Sequence, residues 1–110
     1  MLNINRMKEI IAERDKTDDE WDYGIEKCWK ELTKVLSEDI VSTINYIDTD
    51  CSENEYCWMS EVFDDVARET QSQKFIDCLI RYANNHPKVH EDCNIQGSIE
   101  FAQAEIKSSK

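Results

Sequence analysis

The chain has 110 residues and a formal net charge of −11, with 40% hydrophobic and 34% charged residues. This length supports one domain with a modest core, and the aromatic and aliphatic content argues against disorder. Nucleic acid and anionic membranes would repel so acidic a protein, so the charge argues against both and favours a basic protein partner.

Only two Gly and one Pro interrupt the chain, which favours helices joined by short turns. Three helices are predicted in the N-terminal half. The first covers residues 2–12 and ends in the polar stretch 14–17. The second has the clearest apolar stripe, in steps of three and four from Trp21 to Leu36, with Asp18 and Asp19 as suitable caps. The third is expected over residues 40–47 after a cap at Ser37, and its β-branched content leaves a strand as the alternative.

The C-terminal half is predicted to form three more helices. Residues 52–55 (Ser-Glu-Asn-Glu) match a capping box and start a fourth helix that runs to about Glu69. Residues 70–73 repeat the cap signal for a fifth helix, which His86-Pro87 ends. The last helix is expected to begin near Asn94 or Ser98.

Every predicted helix has a one-sided apolar stripe. Such stripes bury themselves by facing inwards, and short connections make successive helices neighbours. We therefore expect an all-α fold, a compact single-domain bundle of about six short amphipathic helices over residues 1–110.

The five cysteines are irregularly spaced and include no C-x-x-C pair. We interpret all of them as free thiols in a reducing compartment. The N-terminus has no continuous apolar region typical of a secretory signal, and no run approaches the ~18 apolar residues of a membrane span. The expected location is the cytoplasm.

Acidic residues are concentrated in one part of the chain. Between Lys34 and Arg68 there is no lysine, arginine or histidine, yet this segment holds nine acids. A second acidic cluster covers residues 15–22. Ordinary solvated helices mix charges of both signs, so we interpret the acids as a surface for a basic partner, with Trp58 as an apolar anchor. The candidate partner-binding residues are Asp18, Asp19, Glu20, Asp48, Asp50, Glu53, Glu55, Trp58, Glu61, Asp64 and Asp65.

Each of these features also has a plainer interpretation. Charged runs commonly decorate a solvated face, and tryptophans on apolar stripes commonly pack in a core. Whether the two acidic clusters meet in space depends on the tertiary structure.

Signals for catalysis or metal binding are few. His86 and His90, with Asp92 and Cys93 nearby, have a spacing that can bind zinc, but we favour a surface loop with two exposed histidines and no metal or cofactor. The chain has no phosphate-binding glycine loop and no specified Cys/His pair for nucleophilic catalysis. We therefore expect a protein that is not an enzyme, with a small metal-dependent enzyme or sensor as an alternative.

A resemblance to a known family covers about residues 52–90. It rests on WMSEVFDDVA at 58–67, TQS at 70–72, FIDCL at 75–79 and HP at 86–87. These segments resemble the helical immunity proteins of bacterial contact-dependent growth inhibition systems. The resemblance implies a small acidic cytosolic protein that binds the C-terminal domain of its cognate toxin and blocks the active site. Such toxins are often nucleases.

Charge and resemblance lead to the same functional hypothesis. A nuclease must hold phosphates and therefore has a basic cleft, into which clustered carboxylates are steered electrostatically. We expect an immunity protein that forms a one-to-one complex with a basic toxin domain, in particular a ribonuclease. The alternative is an acidic adaptor or nucleic-acid mimic that inhibits another basic protein.

Overall fold

The computed structural model describes residues 2–16 and 22–107, and the side chains of residues 22 and 90–92 are not part of that description. Within these ranges a 3-10 turn, Ser60–Val62, lies among eight α-helices. In chain order the helices are α1 (Ile4–Lys16), α2 (Asp22–Ser37), α3 (Ile40–Thr49), α4 (Glu53–Met59), α5 (Phe63–Thr70), α6 (Gln73–Asn85), α7 (Pro87–Asp92) and α8 (Ile95–Glu105).

The prediction of a compact all-α bundle is confirmed. Residues 2–16 and 22–107 contain no strand. The radius of gyration is 13.1 Å, close to the ~13 Å of a compact domain of this size. Neither range contains a helix that is long and apolar enough to cross a membrane.

The first helix is longer than predicted. It continues through Arg14 to Lys16, whereas the polar residues from Arg14 onwards were expected to end it. Arg14 follows Met7, Ile10 and Ile11 on the inner face of α1, and its side chain is buried. Arg14 therefore extends the buried stripe, because the Glu61 carboxylate, in the 3-10 turn, lies opposite its guanidinium.

The third helix is confirmed as a helix, so the strand alternative is wrong. Its cap is Asp39, whose side chain accepts a hydrogen bond from the Ser42 N–H at 3.2 Å. Ser37, the predicted cap, is the last residue of α2. The buried Thr43 hydroxyl donates to the Leu36 carbonyl at 2.8 Å, which fixes the junction between α2 and α3.

The predicted fourth helix begins at its capping box but is divided into two. Both bonds of the box are present: the Glu55 N–H donates to Ser52 Oγ, and the Ser52 N–H donates to the Glu55 carboxylate. At Ser60 the helix tightens into the 3-10 turn, where the Ser60 hydroxyl donates to the Cys57 carbonyl at 2.5 Å. Such a local side-chain bond competes with the regular helical pattern.

The expected loop around the two histidines is instead a short helix. The fifth predicted helix ends before the proline, as expected, since α6 stops at Asn85. Pro87 then occupies the first turn of α7, where its missing N–H costs nothing. Asn94, in the left-handed conformation with φ of 50°, is the residue immediately before α8.

Aromatic rings fill the centre of the bundle. Tyr56 stacks on Tyr82 and makes an edge contact with Phe63, which in turn contacts Phe75 edge-on. The buried Tyr56 hydroxyl donates to the Leu79 carbonyl at 2.8 Å, so its polar end is satisfied. Phe63 is fully buried, as expected for a core residue.

The tryptophans are less buried than this ring cluster. Trp29 and Trp58 are half-buried at the edge of the core. Trp21, which was also expected in the core, lies outside the described residues.

Candidate protein-binding surface

The turn between α3 and α4 carries the most exposed part of the acidic segment. The Tyr46 hydroxyl donates to Glu55 Oε1 at 2.7 Å, which links the end of α3 to the start of α4. From the other side, the Tyr82 hydroxyl donates to the Cys51 carbonyl at 3.0 Å, which anchors the turn to α6. With the capping box, these bonds fix the backbone of the turn before any partner arrives.

Four predicted site residues lie at this turn. Asp48, Asp50 and Glu53 are exposed, whereas Glu55 is half-buried beneath them. Asp48 pairs with Arg81 at 3.0 Å and Glu55 with Lys8 at 3.5 Å. Among the described residues no cation pairs with Asp50 or Glu53, and both are exposed, so their charges face solvent. We call these four acids the turn surface.

The first helix brings one further acid to this place. Exposed Asp15 lines a hollow of about 310 Å³ together with Ser52, Asn54 and Glu55. The second acidic cluster therefore reaches the turn surface at Asp15. The predicted binding residues Asp18, Asp19 and Glu20 lie outside the described residues.

Glu61 is used inside the fold instead of being presented on a free acidic face. Arg14 Nε donates to its Oε1 at 2.8 Å, and a terminal guanidinium nitrogen donates to Oε2 at 2.9 Å. The Trp29 indole N–H donates to the same Oε1 at 3.0 Å. Such a two-pronged contact between arginine and carboxylate is among the stronger polar interactions in proteins.

Trp58 completes this internal cluster. The Arg14 guanidinium lies 5.1 Å from the centre of the Trp58 ring, a distance typical of a cation–π contact. Trp58 is half-buried against the core, so only part of its ring is open to a partner. We call Arg14, Trp29, Trp58 and Glu61 the internal cluster.

The two remaining predicted residues lie on α5. Asp64 and Asp65 are half-buried, and Asp65 pairs with Arg68 one turn further along the helix. Asp65 faces a groove against α2. The predicted site residues that the structure describes therefore divide between the turn surface, the internal cluster and α5.

Cations from outside the acidic segment compensate much of its charge, and three of the four described here come from distant helices. The acidic segment lacks lysine among its neighbours in sequence. Its neighbours in space include cations from other parts of the chain. At least four of the nine acids are paired in the fold: Asp48 with Arg81, Glu55 with Lys8, Glu61 with Arg14 and Asp65 with Arg68. Of the other five acids, Asp50 and Glu53 are exposed together on the turn surface, and Glu38 is exposed elsewhere, after the end of α2.

The prediction of five free cysteines is wrong for two of them. Cys57 on α4 and Cys93 after α7 form a disulfide, although 36 positions separate them in sequence. Their spacing gives no sign of pairing, because only the fold brings the two Cα atoms to within 5.9 Å of each other. Cys28, Cys51 and Cys78 are free thiols. Burial raises the pKa of Cys51 and Cys78 to about 12, so both are poor nucleophiles.

The disulfide also argues against the alternative of a zinc site at His86, His90 and Cys93. Cys93 is bonded to Cys57 and is therefore not a thiolate ligand. The His86 ring stacks on Tyr82, and its Nδ1 lies 2.9 Å from the Tyr82 carbonyl. No group of three His, Cys, Asp or Glu side chains suited to a metal ion occurs in the described part of the chain, and the His90 side chain lies outside it.

Comparisons with known proteins add no family. No protein-family model, curated protein or solved structure matches this chain. The functional hypothesis therefore depends on the surface described above and on the resemblance of residues 52–90.

Proposed function

We propose that this protein is a binding module that neutralises a basic partner, specifically an immunity protein that blocks a toxin domain. The observation that carries the proposal is the turn surface: a rigid turn that presents exposed carboxylates at Asp50 and Glu53, which form no ion pair with the described residues. A nuclease active site must be basic to hold phosphates. Carboxylates held on a fixed backbone occupy such a site without a large ordering cost.

In this proposal the turn surface sets the rate of association. Exposed charges at the rim of an interface act mainly by steering the encounter between partners. Asp50 and Glu53 would face toxin lysines and arginines, while Asp48 and Glu55 would exchange part of their contact with Arg81 and Lys8. The protein itself would perform no reaction and hold no cofactor.

The direct test is co-expression with the C-terminal domain of the protein encoded immediately upstream. Rescue of growth together with a one-to-one complex would support immunity by direct binding. If neither occurs, the toxin hypothesis fails for that pair. Binding to a different basic protein that duplex DNA competes away would instead support the adaptor or nucleic-acid mimic.

A pair of charge-reversal variants locates the contact. Asp50→Lys/Glu53→Lys and the control Asp77→Lys/Glu100→Lys each reverse two exposed acids, so both change the net charge from −11 to −7. We expect the turn variant to slow association by about tenfold and to weaken its salt dependence. The control should change both much less. Equal slowing in the two variants would show that the whole-protein charge, and not this turn, steers binding.

The cytoplasmic location is part of this proposal, and it raises a measurable question about the redox state of the disulfide. Disulfides are rare in the reducing cytoplasm. The number of alkylated cysteines in protein taken from the cytoplasm without added reductant distinguishes two states. Three reactive thiols, after denaturation, would mean that the Cys57–Cys93 bond persists there, and five would mean that the protein acts in its reduced form.

A further inference from the structure

The Cys57–Cys93 disulfide joins two parts of the bundle that are anchored to different degrees. On one side, Cys57 lies on α4 beside Tyr56 and Met59, whose side chains are fully buried. The capping box holds the start of the same helix. On the other side, Cys93 follows α7, a helix of six residues that has no side-chain cap at its start. The bond therefore ties a weakly anchored segment to a firmly anchored helix.

We call residues 87–94, which include α7, the strap. The packing of α7 is mainly against α6 and α8, its neighbours along the chain. Of the three α7 side chains that the structure describes, Val89 is buried and the other two are exposed. Both ends of the strap are fixed, because the His86 ring stacks on Tyr82 and Ile95 is fully buried. The main ties between the strap and the core are therefore Val89 and the disulfide.

The disulfide lies beside a hollow that a small molecule can enter. Cys57 and Cys93 are half-buried, and both line a hollow of about 530 Å³ next to Trp58. This volume is within the ~300–1,000 Å³ typical of ligand sites, so it has room for a low-molecular-weight thiol. The Glu61 carboxylate also lines the hollow, but its pairing with Arg14 reduces its repulsion of an approaching thiolate.

The three free cysteines are poorly suited to compete for such a reaction. Cys28 and Cys78 are buried, and Cys51 is half-buried. Burial raises the pKa of Cys51 and of Cys78 to about 12, so at neutral pH neither forms the thiolate that attacks a disulfide. Thiol chemistry on the folded protein is therefore directed to the Cys57–Cys93 pair.

We propose that Cys57–Cys93 is a redox switch, operated by a low-molecular-weight thiol such as glutathione, that holds the strap against α4 when oxidised and releases it when reduced. The thiolate of one such molecule attacks a sulfur of the pair, the S–S bond breaks, and the other cysteine leaves as a thiolate that takes up a proton. A second molecule attacks the mixed disulfide and releases the first cysteine as a thiol. Two small thiols are thus oxidised to their disulfide while the protein bond is reduced, and that disulfide reverses the reaction. The switch does not depend on the proposed partner.

The test reduces the folded protein with glutathione in the absence of urea. Alkylation after denaturation should then count five thiols in place of three. Trypsin reports the state of the strap, because Lys88 on α7 and Lys30 on α2 are both exposed and each is cut when its helix opens. Reduction should raise the ratio of cleavage after Lys88 to cleavage after Lys30 by at least about tenfold. Adding glutathione disulfide should restore the original ratio.

The ratio separates release of the strap from a loss of stability in the whole fold. If the bond acts only on the unfolded chain, both cleavage rates rise by the same factor, and the unchanged ratio would overturn the proposal. A count that stays at three thiols would also overturn it, because the pair would then be closed to small thiols. The variant Cys57→Ser/Cys93→Ser should show the raised ratio without glutathione and should not respond to it. A double variant with the ratio of the oxidised wild type would contradict the release of the strap.

Discussion

The turn surface and the internal cluster contain the same kind of residue from the same acidic segment, yet they do different work. Glu61 is joined to Arg14 by two hydrogen bonds and to Trp29 by a third. Asp50 and Glu53, only a few residues earlier, face solvent on a capped turn. A uniformly acidic stretch of sequence thus supplies both an internal clamp between helices and an external surface for a partner.

The difference follows from what lies opposite each carboxylate. The Arg14 side chain is only 10% exposed, and its charge would be costly to bury without Glu61. The turn acids have water as their alternative partner, so removing one costs the fold little. Charge in the internal cluster therefore matters for stability, and charge at the turn matters for binding.

The largest effect is expected from breaking the internal cluster. Glu61→Gln keeps the size of the side chain but removes the negative charge that the Arg14 guanidinium contacts at 2.8 Å. We expect a loss of about 3–4 kcal/mol in the free energy of unfolding, in the lower part of the range for buried pairs. We expect the lower part of this range because the Glu61 side chain remains 27% exposed. Urea unfolding measures this loss.

The matched control is Asp50→Asn, which removes one negative charge from the turn surface. The free energy of unfolding should stay within about 0.5 kcal/mol of the wild type, as for most exposed positions. Equal losses in the two variants would mean that the two regions do not differ in the way described.

The disulfide should have the next largest effect on stability. Cys57 lies on α4 close to Trp58, and its bond to Cys93 closes a segment with a sequence separation of 36. The chain entropy of a loop of that size gives about 4 kcal/mol, the upper end of the ~2–4 kcal/mol typical of disulfides, and we take about 3 kcal/mol, the middle of that range. The variant Cys57→Ser/Cys93→Ser should lose that amount in urea unfolding. An oxidised wild type no more stable than the double variant would contradict this prediction.

A smaller effect is expected at the cap of the turn surface. Ser52→Ala removes the hydroxyl that accepts the Glu55 N–H, and we expect a loss of about 1 kcal/mol. Because the cap holds the turn backbone, partner affinity should also fall although no charge changes. Reduced stability with unchanged affinity would show that the partner does not depend on a rigid turn. Ser98→Ala, on α8, is a control outside the turn.

The mildest effect concerns pH. Burial is the main cause that raises the pKa of Cys78 to about 12 from an ordinary value near 9, and Asp48 adds to it. The unfolded thiol loses its proton first, so this contribution is complete below pH 9 and declines as the pH rises towards 12. The urea midpoint should therefore fall from pH 8 to pH 10, and Cys78→Ala should reduce the fall. An identical fall in the variant would assign it to other groups.

Local signals in the sequence predicted most of the helices. Apolar spacing gave α2, α3 and α6, the capping box gave the start of α4, and Pro87 gave the end of α6. These features depend on residues within one or two turns of each other, so they can be read from sequence. The two differences have different causes. The short helix after Pro87 is a local ambiguity, whereas α1 continues through Arg14 because its partner Glu61 is distant in sequence.

The candidate site depended far more on distant residues. The sequence by itself determined that the protein is acidic, helical and rich in carboxylates between Lys34 and Arg68. Only the tertiary structure decided which of those carboxylates are neutralised, because Lys8, Arg14 and Arg81 reach them from other helices. The Cys57–Cys93 bond and the α2–α5 groove have the same origin. Electrostatic and covalent pairing act through space, and a chain's order alone does not give its spatial neighbours.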